Sequence, residues 1–230
     1  MPDIANSMLE NINRSSPDIV VITGDLTENG LAAEYNGAKK FIDRIECKNK
    51  VIVPGNHDSR NAGYLFFEDL FKTRSTSGHF GEVTVVGLDS SQPELDEGHI
   101  GRENYNWIEN TFSVNGFKVF ALHHHLIPIP RTGRGNNVLV DAGDVLELLD
   151  RSGVNLVLCG HWHIPWVWRL NDMLVISAGT VCSSKVRGKM SQCYNLIEID
   201  APESDCKRWY LQVYRVFSRG EKEKVVDSII

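Results

Sequence analysis

The chain has 230 residues, 42% of them hydrophobic and 23% charged, with a formal charge of −6. That length buries a core without disulfide or metal staples, and the acidic balance gives no broad basic field for nucleic-acid coating, although a local basic loop stays open. Five scattered cysteines (Cys47, Cys159, Cys182, Cys193, Cys206) form no CxxC pair, and no apolar run approaches the ~18 residues of a membrane span, so a cytoplasmic chain without disulfides or membrane contact is expected.

The chain opens on a predicted helix, with Ile4, Met8 and Ile12 on one face and Asp3 as N-cap. Pro17 ends it, and the β-branched run Ile19 to Thr23 predicts a strand buried on both faces, followed by the turn GDLTENG. The same grammar repeats: a helix at Ala33 to Ile45, a strand at Val51 to Val53, the loop PGNHDSRN and a helix at Gly63 to Phe71. It continues with a strand at Val83 to Asp89, a helix at Glu103 to Phe112 and a strand at Lys118 to Leu122. A helix at Ala142 to Arg151 and a strand at Asn155 to Gly160 complete the series. Strands alternating with helices predict a layered α/β domain with mainly parallel strands. Beyond Gly160 the segments WVWRL, LVISA, CYNLIEID and RWYLQVYRVF are β-rich, with turns at Asn171-Asp172 and Pro202 to Asp205. They predict an antiparallel addition that forms a second sheet packed on the first. One domain over residues 1–230 is expected: a β/α part at 1–160, an antiparallel β part at 161–217, and a frayed tail at 218–230.

The polar residues fall in a pattern. Gly24-Asp25, Gly55-Asn56-His57-Asp58, His123-His124-His125 and Gly160-His161-Trp162-His163 each follow an apolar strand directly. Loops at the carboxyl ends of strands in an open α/β sheet converge on one crevice, so these side chains can meet. Carboxylate, amide oxygen and imidazole without thiolate suit divalent ions of the Mn, Fe or Zn type. His161 and His163, two apart on an extended loop, point in different directions and suit two neighbouring ions better than one.

GDLTENG, GNHD, HHH after a strand, and GHWH, in that order and over roughly Ser16 to Thr180, resemble the calcineurin-like metallophosphoesterase superfamily, nearest its class III cyclic-nucleotide phosphodiesterases. The resemblance implies an αββα sandwich of two mixed β-sheets flanked by helices, with a two-metal site at the strand ends. It implies that Asp25 bridges two ions, that Asn56, His123 and His161 complete the second site, and that His163 belongs to the first. His123 is the first polar residue after KVFAL, and His124 is the alternative ligand. His57 would protonate the leaving oxygen or hold a phosphoryl oxygen, oriented by an acidic residue whose place Glu28 holds. The family pattern also begins with a strand carrying Asp-x-His, two ligands of the first ion, and no such motif stands before Ser16. The second site therefore has its full set, and the first keeps Asp25 and His163, so it is expected to be empty or weak. A chain that starts after that strand is the expected explanation; a partner chain or the tail filling the gap is the other.

Ordinary explanations stand beside these. Asp25 alone could be a turn carboxylate, and imidazoles at strand ends are often satisfied core groups. Arg60, three residues past Asn56, is placed either to meet a phosphate oxygen, as His124 is, or simply as an exposed loop arginine. PRTGRGNN, with Arg131 and Arg134, reads as a lid over an anion or as a solvated loop, and its Gly133 belongs to no dinucleotide fingerprint. Trp162, Trp166 and Trp168 read as strand packing before base stacking, Tyr64, Phe66, Phe67 and Phe71 as core, and His79 and His99 as surface.

The expected activity is hydrolysis of a small phosphoester by a metal-activated hydroxide, on phosphodiesters including cyclic nucleotides or on phosphomonoesters. A weakly active or non-catalytic scaffold with an incomplete dinuclear site is the non-enzyme alternative, and a nuclease the second enzyme. A homo-oligomer is left open.

Overall fold

The computed structural model describes residues 2–130, 132, 139–186, 190–201 and 208–230. Arg131, Gly133, Arg134, Cys206 and the turn expected at 202–205 lie outside the described residues.

Five helices and eleven strands are described: α1 (Pro2–Ser15), β1 (Val20–Thr23), α2 (Ala32–Asp43), β2 (Lys50–Val53), α3 (Gly63–Phe71), β3 (Thr76–Phe80), β4 (Val83–Gly87), α4 (Tyr105–Thr111) and β5 (Phe117–Ala121). They continue as α5 (Ala142–Arg151), β6 (Leu156–Cys159), β7 (Trp166–Leu170), β8 (Met173–Ser177), β9 (Cys193–Asp200), β10 (Tyr210–Phe217) and β11 (Lys222–Ile229). The main sheet has the order β3-β4-β5-β6-β8-β7, with β4, β5, β6 and β8 parallel and β3 and β7 antiparallel at its edges. Across from it lie the parallel pair β1-β2 and the antiparallel sheet β11-β10-β9.

Period-two alternation along the central strands divides two cores. Val85, Val119, Leu156 and Leu174 face Val51, Leu211, Val213 and half-buried Val21 and Ile197 between the sheets. Their neighbours Val86, Phe120, Val157 and Val175 face the helices through Ile108, Val145, Leu148 and Leu149. On the far side Leu9 and Ile12 of α1 and Phe41 of α2 pack on Val20 and Ile22 of β1. The layers run helix, sheet, sheet, helix, as the αββα expectation required.

Several local expectations are corrected. Asp3 sits in the first turn of α1 instead of capping it, because Pro2 already occupies a helical position that needs no N–H. The polar strand β3, TSGHF, forms a hairpin with β4 and carries no apolar run to mark it. β7 and β8 extend the main sheet, β8 parallel to β6, instead of joining the second sheet. The tail is a strand: β11 pairs antiparallel with β10, and Val225 and Val226 join the core between the sheets. Of the aromatic run, Phe67 is fully buried, whereas Phe66 is 42% exposed because the buried stripe of α3 is narrow. His79 and His99 are exposed. No helix among the described residues is long and apolar enough to cross a membrane.

Candidate metal centre

The ligand-bearing loops leave from strands of both layers. β1 and β2 deliver Asp25 and Asn56 from one sheet, and β5 and β6 deliver His123 and His161 from the other. The loops lock to one another across the sandwich. His123 Nδ1 donates to the Thr23 carbonyl at 2.6 Å, and the Gly160 N–H donates to the His123 carbonyl at 2.8 Å. Gly24, at φ +86°, lies so close to the next loop that a Cβ would sit 2.5 Å from the Gly55 nitrogen. A side chain on Gly55 would sit 2.2 Å from Asp25 Oδ1 and 2.7 Å from His123 Cε1. Only glycine fits at either place.

Four acceptor atoms converge as a result. His123 Nε2 lies 3.0 Å from His161 Nδ1, 3.2 Å from Asn56 Oδ1 and 3.4 Å from Asp25 Oδ1, and His161 Nδ1 lies 3.0 Å from Asn56 Oδ1. With Nδ1 of His123 donating to Thr23, its Nε2 presents a lone pair to this centre. The amide of Asn56 is oriented likewise: its Nδ2 donates to Asp96 Oδ1 at 2.9 Å, so its oxygen faces inward. Of the four, His161 Nδ1 and the Asp25 carboxyl have the option of carrying a proton, and a divalent cation would satisfy all of them together. Burial keeps the imidazoles neutral, holding His123 down at about 3 and pushing His161 lower still. Burial raises Asp25 to about 6, against the lowering effects of His57 and His163.

His123, His124 and His161 have ring nitrogens within 4.8 Å of one another, a grouping that could hold a metal ion. Hydrogen-bond valence separates its members. His124 Nε2 lies 3.1 Å from the Asp96 carbonyl, which requires a proton on that nitrogen, and its Nδ1 accepts from Ser90 Oγ at 2.9 Å. Both nitrogens of His124 are committed, which leaves it neither a free lone pair for an ion nor a free donor for substrate. Instead it anchors the loop after β4: Gly98 packs against its ring so tightly that a Cβ would sit 2.4 Å from Nδ1.

His57 stands at the open side of the centre. Its Nδ1 lies 2.7 Å from the Glu28 carbonyl and 2.9 Å from Arg60 Nη1. The contact with a carbonyl places the proton on Nδ1 and leaves Nε2 toward the cleft. Glu28 thus meets His57 through its main chain; its carboxylate is 4.0 Å away, drawn aside by Lys185 Nζ. Arg60 reaches the site but is paired, its Nη2 2.6 Å from Asp96 Oδ1, and this hydrogen bond holds the Asp96 carboxyl below its usual range. His163 Nδ1 donates to the Lys185 carbonyl at 2.8 Å, beside Asp25. Trp162 is buried against His125 and His161, and Trp168 is tied to the Pro128 carbonyl, so both serve packing.

Three residues escaped the sequence. Asp58 closes a motif but is fully buried, accepting from Gly55 N, Leu26 N, Thr27 N and Thr27 Oγ1 at 2.8 to 3.1 Å. Ser90 accepts from the N–H groups of both His123 and His124. Asp96 has no motif around it. The left-handed backbone at Asp25, His161 and His163 (φ 56°, 73° and 57°) marks two of the ligand loops, those after β1 and β6, a conformation that non-glycine residues adopt mostly where surrounding structure enforces it.

The geometry agrees with the comparisons. Over 172 residues the chain is 27% identical to a probable cyclic nucleotide phosphodiesterase of Synechococcus, covering 71% of this chain and 64% of the relative. It is 29% identical over 180 residues to a probable glycerophosphodiester phosphodiesterase of Arcobacter nitrofigilis, covering 73% of this chain and 64% of the relative. The chain thus spans just under two thirds of the length of these relatives. Its fold is similar to that of a dimetal phosphatase from Danio rerio, with a TM-score of 0.65 at 14% identity over 97% of this chain and 89% of that one. The family model for calcineurin-like phosphoesterases matches residues 3–165, which takes in every loop of the centre, and the chain belongs to that family.

Proposed function

We propose that the chain is a metal-dependent phosphoesterase acting on phosphodiesters, with cyclic nucleotides, the substrates in the name of the Synechococcus relative, as the leading candidates. What carries the reading is the convergence of Asp25, Asn56, His123 and His161 acceptor atoms on one point. These four residues would hold one divalent ion, and Asp25 with His163 would contribute to a neighbouring one. A divalent cation supplies Lewis acidity and charge neutralisation to phosphoryl transfer.

The remaining residues divide the work. His57, with its Nδ1 proton tied to the Glu28 carbonyl, leaves Nε2 facing the departing alkoxide, which it would protonate in its imidazolium form, with both ring nitrogens carrying hydrogen. Asn56, 1% exposed and fixed by Asp96, keeps its oxygen turned toward His123 and His161, where it would meet an ion. Arg60 stands next to His57 where a phosphoryl oxygen enters.

The test is hydrolysis of bis-p-nitrophenyl phosphate with added Mn²⁺, alongside metal content, in the natural chain and in His161→Ala. Hydrolysis that requires Mn²⁺ and is lost with His161 is expected. An inactive chain with metal demonstrably bound overturns the proposal in favour of the scaffold reading.

A further inference from the structure

Asp96 places a carboxylate against two residues of the centre, Asn56 and Arg60. A single oxygen, Oδ1, accepts from Asn56 Nδ2 at 2.9 Å and from Arg60 Nη2 at 2.6 Å. Its main chain is fixed as well: the Asp96 carbonyl accepts from His124 Nε2, the Gly98 carbonyl accepts from Val140 N at 2.8 Å, and His99 N donates to the Ser90 carbonyl at 3.0 Å. Gly98 lies flat on the His124 ring. The negative charge therefore rides on an exposed side chain that is held in place by its bonds to Asn56 and Arg60 and by a loop anchored at Asp96, Gly98 and His99.

We propose that Asp96 is a specificity-determining residue that favours monoanionic phosphodiesters over dianionic phosphomonoesters; this rests on the phosphoesterase reading. Any phosphoryl group approaching Asn56 and Arg60 must come close to this carboxylate. Asp96 cancels the charge of Arg60, so an ester with one charge meets a locally neutral rim. An ester with two charges carries an additional anion against a fixed one, and a phosphomonoester carries nearly two above its second pKa of about 6. The same bond to Asn56 makes the residue a positioning group for the amide, which is why the informative change removes charge while keeping shape. In Asp96→Asn the amide oxygen still accepts from Asn56 and Arg60.

The experiment has a kinetic arm and a binding arm, both run on the Mn²⁺-loaded chain at about pH 8, where the monoester is dianionic. The kinetic arm compares kcat/KM for p-nitrophenyl phosphate and bis-p-nitrophenyl phosphate in wild type, Asp96→Asn and Asp96→Glu. The binding arm measures inorganic phosphate and dimethyl phosphate by calorimetry in the same three proteins. Loss of one unit charge a few ångströms from the ligand, screened at an exposed side chain, is worth about threefold to fivefold. Asp96→Asn is expected to shift both the monoester-to-diester ratio and the phosphate-to-dimethyl-phosphate ratio upward by about that factor, less at high salt. Asp96→Glu, which keeps the charge, should stay near wild type. A binding ratio unchanged within about twofold, or failure of both ligands to bind any of the proteins, overturns the proposal. Should the wild type hydrolyse neither ester, the phosphoesterase reading fails, and the binding ratio alone then decides the role of Asp96.

Discussion

Asp58→Asn tests whether the centre is held together by a buried acceptor. The carboxylate is 0% exposed; Oδ2 accepts from Gly55 N (2.8 Å) and Leu26 N (3.1 Å), and Oδ1 from Thr27 N and Thr27 Oγ1 (both 2.9 Å). An amide of the same shape turns one of these oxygens into a donor. If the new NH₂ faces Gly55 and Leu26, two main-chain N–H groups meet a third donor. Facing Thr27 is cheaper, because the hydroxyl can reverse, although it already accepts from Gly30 N at 3.1 Å. Even then Thr27 N is left unpaired, at about 1–3 kcal/mol, and the surviving bonds drop from charged to neutral acceptors. Against this stands relief: burial and the charge of Asp25 push Asp58 up to about 7, so removing its charge recovers part of the loss. A net destabilisation of about 2 kcal/mol follows, equivalent to about 4–8 °C in Tm for a chain of this size. Urea unfolding with chelator should show a lower midpoint at unchanged slope, and Mn²⁺ affinity should fall too, since Leu26, Thr27 and Gly55 flank Asp25 and Asn56. A variant as stable as wild type within about 0.5 kcal/mol, with the same Mn²⁺ affinity, would refute the reasoning.

Two further outcomes are expected. His123→Gln should lose metal on dialysis, measured by elemental analysis, while His124→Gln should retain it, because only His123 directs a free lone pair at the centre; the reverse result would exchange their roles. The metal-free protein should lose stability as pH falls from about 6 to about 5, read as urea midpoints. Burial lowers His123 to about 3, His125 to about 4, and His124 and His161 as well, so below the unfolded value of 6.5 the unfolded chain takes up protons that the native one refuses. Burial raises Asp25 to about 6, Asp58 to about 7, and Asp89, so these act oppositely, their native forms binding protons that the unfolded chain releases. Four imidazoles outweigh three carboxylates, and each net proton contributes about 1.4 kcal/mol per pH unit. A higher midpoint at the lower pH would show that the carboxylates dominate.

The ligand loops were legible because each polar motif abuts an apolar strand, and the strand ends determine where the side chains arrive. Strand ends alone brought the four motifs together; the choice of Asp25, Asn56, His123 and His161 within them came from the family resemblance. The choice between His123 and His124 was not legible: it depends on which ring finds a carbonyl at Nδ1 and which finds a hydroxyl, and Ser90 and Thr23 are far away in sequence. Glu28 matched a pattern, yet its carboxylate turned to Lys185, 157 residues on. β3 and β11 were hidden for a related reason. TSGHF and KEKVVDSI carry little apolar alternation, and their strand character comes from partners, β4 and β10, that supply the hydrogen bonds and a core for Val225 and Val226.

Contacts within the protein tie the loops of the centre to one another. Asp25, His161 and His163 sit in left-handed backbone at a cost of roughly 1–2 kcal/mol each, and four acceptors face one another at 3.0 to 3.4 Å. Neither feature stabilises the fold. Both persist because the surroundings leave no alternative. The His123 imidazole bonds across to β1, Gly24 packs on Gly55, and Asp58 binds the first two loops to each other from beneath. Each of these contacts joins a loop from one strand end to a loop from another, so relaxing one left-handed residue would unseat its neighbours. Held this way, the acceptors lose little further freedom when a cation arrives, and the mutual repulsion they carry is exchanged for attraction to a common centre. The affinity of the site is thus set by the two cores that fix the strand ends, and a core substitution that shifts β1 against β5 acts on the metal centre without touching a ligand.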